Sequence, residues 1–96
     1  MEYKKLKRTW KNKLGADEDV GGDHIYYNMR IGEFSHRIGK VSHSTRGSDT
    51  VDDYIMRDTT RRMKVSKPEL VEIVGCSISK GQYVVMWQER YNEGTS

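Results

Sequence analysis

The chain has 96 residues, of which 34% are apolar and 32% charged, with a mean hydropathy of −0.88. That length holds one small domain with a modest core and leaves no room for a second. No run approaches the ~18 apolar residues that span a bilayer, the basic N-terminus lacks the apolar run of a signal peptide, and the single cysteine, Cys76, can neither close an internal disulfide nor cage a zinc ion alone. These features predict a cytoplasmic protein with no membrane attachment and no cofactor.

The net charge of +3 is unevenly placed. Residues 1–14 carry Lys4, Lys5, Lys7, Arg8, Lys11 and Lys13 against Glu2, a net +5, whereas the rest of the chain holds 11 bases and 13 acids, a net −2. Tyr3, Leu6, Trp10 and Leu14 recur at spacings of three, four and four, which predicts an amphipathic helix over 1–14. Gly15 stands where a C′ glycine closes a helix, and Lys11 and Lys13 suit its last turn. A helix of this length is marginal alone and needs a surface to dock on.

Residues 15–23 are acidic and glycine-containing without periodicity, and read as a linker. From 24 to 42 the chain alternates about Gly32-Glu33, a glycine-first two-residue turn, which predicts a hairpin pairing Ile31 with Phe34, Met29 with His36 and Tyr27 with Ile38. Its other face shows Tyr26, Asn28, Arg30, Ser35 and Arg37. A polar loop at 42–49 leads to a short helix near 50–60, capped by Asp49 or Thr50 and closed by Arg61 and Arg62, after which Met63 and Val65 suit the start of a strand. Residues 69–91 read as a second hairpin about Lys80-Gly81, with Cys76 facing Val85 and Val74 facing Trp87. Ser66, Pro68 and Glu69 form a competing helix-start signal for 66–74, set against the β-branched run Val71, Ile73 and Val74. Residues 92–96 read as a flexible tail.

The predicted fold is therefore α+β: a small single domain, an antiparallel sheet of two hairpins (about 24–42 and 69–91), an N-terminal basic helix and a second short helix near 50–60. Residues 24–91 form its body.

No pattern points to catalysis. His24, His36 and His43 have no metal-ligand spacing, although His24, His43 and Asp23 approach the open end of the first hairpin. A hydrolytic reading with a histidine base, Arg37 or Arg46 on a phosphate and Glu33 or Asp49 as partner has no supporting order or spacing. Cys76, placed on an apolar strand face, is a poor nucleophile there. Glu72 and Glu89 fall opposite each other as a like-charge pair at strand ends. The 42–49 loop lacks a phosphate-loop pattern, and Asp49, Asp52 and Asp53 repel an anion.

The basic helix is the most informative feature. Lys4, Lys5, Lys7, Arg8 and Lys11 suit phosphates, Trp10 suits stacking on an unpaired base, and Arg30 and Arg37 extend the cationic surface. The competing reading docks Tyr3, Leu6, Trp10 and Leu14 on the sheet and leaves the lysines as a solubilising face. The expected function is a small non-enzymatic binding module associated with nucleic acid, RNA or a single strand. The alternative is a protein-binding inhibitor or adaptor acting on a larger enzyme or complex, anchored by an edge strand and by Tyr26, Tyr91 or Trp10. Oligomeric state is not encoded in any pattern of the chain.

Overall fold

The computed structural model describes residues 1–42 and 45–95, with side chains as far as Tyr91. It is an α+β domain in which a three-stranded antiparallel sheet, in order β1-β2-β3, is covered on one face by helices. The first helix, α1 (Tyr3–Arg8), continues through a π-helical turn (Thr9–Lys13). Its apolar stripe docks into the core: Tyr3, Leu6, Trp10 and Leu14 are all buried. No side chain caps its start. Instead the Tyr3 and Lys4 amides donate to the carbonyls of Asp49 and Gly47 at 2.9 and 3.0 Å, which satisfies donors that would otherwise be orphaned. The π turn is seen in the Leu14 amide donating to the Thr9 carbonyl at 2.9 Å, and Gly15 closes the helix at φ +70° as its position predicts.

The acidic stretch expected to be a linker is a strand. β1 (Asp17–Gly21) pairs with β2 (His24–Ile31) from Asp17 opposite Asn28 to Gly21 opposite His24. All five β1 residues are exposed, so no apolar alternation announces it, and its charges suit an edge. β2 pairs with β3 (Phe34–Ser42) about the expected Gly32-Glu33 turn, with Ile31 opposite Phe34 and Met29 opposite His36. The expected pairing of Tyr27 with Ile38 is displaced by one residue. Tyr27 faces Gly39 while Asn28 faces Arg37, which leaves Ile38 as the extra residue of a bulge, fully buried. The bulge brings Gly39 under the Trp10 ring, where a side chain has no space.

The helix near 50–60 is α2 (Asp53–Met63), with Asp52 as its N-cap accepting from the Ile55 amide at 2.8 Å. Burial pushes the Asp58 carboxyl up, but hydrogen bonds from Arg61 and Arg62, at 2.8 and 2.9 Å, outweigh it and hold the pKa below its usual value. No strand follows: Lys64 turns the chain at φ +59°.

The second hairpin is corrected outright. Residues 69–91 fold as two helices, α3 (Lys67–Val74) and α4 (Lys80–Thr95). Each opens on a reciprocal cap. Ser66 and Glu69 form one, with amide to side-chain distances of 2.8 and 3.3 Å, and Ser79 and Gln82 form the other, at 2.8 and 3.1 Å. Lys80-Gly81, taken for a hairpin turn, is the first turn of α4. Arg90 of α4 reaches back with two hydrogen bonds to the Glu69 carboxylate, at 2.6 and 3.0 Å, and with a third to the Lys64 carbonyl. Cys76, expected on a buried strand face, sits exposed between the helices at φ +69°. The tail expected at 92–96 is helical to Thr95, and Ser96, like His43 and Ser44, lies outside the described residues. Among the described residues no helix is long and apolar enough to cross a membrane.

Candidate nucleic-acid interface

The helical stripe that buries Leu6 and Trp10 turns the opposite side of α1 to solvent, and that side carries the basic residues. A shallow groove of about 440 Å³ is lined by Lys4, Lys7 and Lys11 on the helix, by Glu18 of β1, by Ile25 and Tyr27 on β2 and by Gly47. Arg46, next to Gly47, is exposed, and its amide is bonded to the Asp49 carboxylate. Two of the cations are engaged: Lys4 with Glu2 at 3.3 Å, and Lys11 with Glu18 of β1. Lys5, Lys7 and Arg8 have no acidic partner among the described residues.

The structure does not bring the other expected residues to this face. Trp10 is fully buried, its ring centroid 4.8 Å from that of Tyr27, so its indole is part of the core and offers no base a stacking surface. Arg30 and Arg37 project from the far side of the sheet, because they alternate with Met29, Ile31 and Ile38, which face the helices. Arg37 is held there by the Asn28 side chain at 3.3 Å, by Asp19 at 3.6 Å and by the Tyr26 ring at 3.9 Å. Asn12 and Lys13, not among the residues the sequence suggests for binding, follow Arg8 at four and five residues and share its side of the helix; Asn12 lines the groove, and the Lys13 ammonium donates to the Ile73 carbonyl at 2.6 Å.

His24 and His36 are apart. His24 begins β2 on the outer face beside Tyr26, whereas His36 lies on the inner face near the hairpin turn, 4.1 Å from the Trp87 ring. Burial and, after it, the nearby Lys64 lower the His36 pKa. Among the described residues no three His, Cys, Asp or Glu side chains are grouped to hold a metal ion. Lys5, Lys7 and Arg8 concentrate positive charge on one side of an ordered helix, a surface electrostatically complementary to an anion. The chain matches no known family model, no curated protein and no solved structure.

Proposed function

We propose that the protein is a small non-enzymatic module that binds nucleic acid, RNA or a single strand, by its phosphate backbone. One observation carries this reading: Lys5, Lys7 and Arg8 stand on the exposed side of a single ordered helix without acidic partners among the described residues, beside Lys4 and Lys11. Phosphate contacts of this kind fix position without reading base edges, so binding has little sequence preference. The aromatics nearest the helix face, Tyr3, Trp10 and Tyr27, are buried, which takes base stacking out of the reading on this side.

Deleting residues 1–14 is no test, since Leu6, Trp10 and Leu14 belong to the core. The informative variant is Lys5→Gln with Lys7→Gln and Arg8→Gln. Fluorescence anisotropy with a labelled oligoribonucleotide at low salt is expected to show binding about tenfold or more weaker than wild type at unchanged Tm. Equal binding by the variant, or no binding by the wild type, overturns the proposal.

A protein partner is the second reading, favoured by the exposure of Phe34 at 69% and Tyr91 at 43% beside His36. It predicts a stoichiometric complex that Phe34→Ser abolishes and the charge variant leaves intact.

A further inference from the structure

On the other flank of α1 a second cavity, of about 670 Å³, opens between the π turn and the C-terminal end of α3. Lys5, Arg8, Asn12 and Lys13 form one wall, Val74 and Cys76 the other, and no acidic residue among the described residues lines it. Its volume is in the range of small-ligand sites, and its lining mixes cations, one amide and apolar surface. Lys13 is pinned in place by its bond to the Ile73 carbonyl, while Lys5 and Arg8 have no acidic partner among the described residues. Part of the wall, Asn12 and Lys13, is formed where the helix adopts π geometry, a rare form that recurs at functional sites. Arg8 and Asn12 line this cavity and the groove on the first flank alike, so the two form one surface that passes over the helix.

We propose that this cavity holds a nucleoside monophosphate unit, its phosphate between Lys5, Arg8 and Lys13 and its nucleoside against Asn12, Val74 and Cys76. The inference rests on the reading that the α1 face binds nucleic acid, and it adds a chemical class: a phosphomonoester, supplied as a free nucleotide or as the phosphorylated end of a strand. Guanidinium and ammonium groups converge on a phosphate as charge-assisted donors. The Asn12 amide both donates and accepts, which suits a base edge.

Cys76, the only cysteine of the chain, lines the cavity and is exposed, so its alkylation reports occupancy. Iodoacetamide labelling of the full chain is followed by mass spectrometry at constant ionic strength. The additions are uridine monophosphate, uridine, inorganic phosphate, and an oligoribonucleotide with and without a terminal phosphate. Uridine monophosphate is expected to slow labelling by a factor of about 1 + [L]/Kd, about threefold at twice Kd. Uridine leaves the rate unchanged, and Lys5→Gln with Arg8→Gln removes the protection. If the strand end is the source, the phosphorylated oligonucleotide protects at lower concentration than the unphosphorylated one; if the free nucleotide is, both oligonucleotides protect less than the monophosphate. The proposal is overturned if the monophosphate gives no protection, or no more than inorganic phosphate. Oligonucleotide anisotropy on the same samples separates the two ideas: binding that persists without monophosphate protection refutes the cavity alone, and no binding with protection intact refutes the backbone reading alone.

Discussion

The packing of Trp10 over Gly39 fixes where the basic helix sits, and Gly39→Ala tests it. A Cβ built on Gly39 collides with Trp10 Cζ2 and Cη2 and lies 2.8 Å from Cε2. The ring cannot swing away, because Trp10 is fully buried against Tyr27. Overpacking of this kind costs about 1–3 kcal/mol. Against it stands the gain of about 0.5 kcal/mol from replacing a strand glycine with alanine. A net loss of about 1.5 kcal/mol lowers Tm by about 6–12 °C for a domain of this size. The assay is thermal and urea unfolding of Gly39→Ala, Trp10→Phe and the double variant. Phenylalanine lacks the colliding atoms, so Gly39→Ala in that background is expected to be neutral within about 0.5 kcal/mol, giving a coupling of about 1.5 kcal/mol. Gly39→Ala that is harmless alone, or equally harmful in both backgrounds, refutes the placement of α1.

Four further outcomes follow from other contacts of the fold. Arg90, and after it the Ser66 amide, lower the Glu69 pKa from 4.5 to about 2. This carboxylate therefore adds stability that is complete above pH 4.5 and is lost as pH falls toward 2. Screening at the partly exposed pair limits the gain to about 1 kcal/mol, and Arg90→Met should flatten the acid limb of the urea midpoint over that window. His36, lowered by burial, gives a separate loss as pH falls below 6.5 that Arg90→Met leaves in place. Ser79→Ala removes the α4 cap and is expected to cost about 1 kcal/mol, whereas Ser79→Asp keeps most of it; a neutral Ser79→Ala in thermal unfolding would contradict a helix start there. Asp58→Asn weakens both arginine contacts of a buried carboxylate and is expected to cost about 1–3 kcal/mol by urea unfolding.

The features legible in the sequence were those with a local cause. The stripe Tyr3, Leu6, Trp10 and Leu14, the Gly15 closure and the turn at Gly32 each sit where the structure has them. β1 was not legible, because an edge strand with no buried side chain leaves no alternation to find. The start of α4 does carry a signal in the sequence, since Ser79 and Gln82 repeat the spacing of Ser66 and Glu69, but Val84, Val85 and the glycine after Lys80 favour a hairpin. Tertiary packing outweighed those propensities, since Tyr83 and Trp87, four apart, share one buried helix face. For the site, spacing alone could not decide between a free and a docked Trp10, nor show that Arg30 and Arg37 lie across the sheet from α1. The places of Asn12 and Lys13 depend on α3, whose Ile73 carbonyl accepts from Lys13 and whose C-terminal end lines a cavity with both residues, a tertiary neighbour that spacing along α1 does not reveal.

The most direct test of the central claim is the salt dependence of oligoribonucleotide binding for wild type and for the Lys5, Lys7, Arg8 glutamine variant. Each phosphate contact on a single strand contributes about −0.7 to the slope of log K against log salt. Loss of three contacts should make the slope shallower by about 2 and weaken binding for every base sequence alike. The same slope in both proteins would place the phosphate contacts elsewhere on the molecule and contradict the assignment of α1 as the binding face.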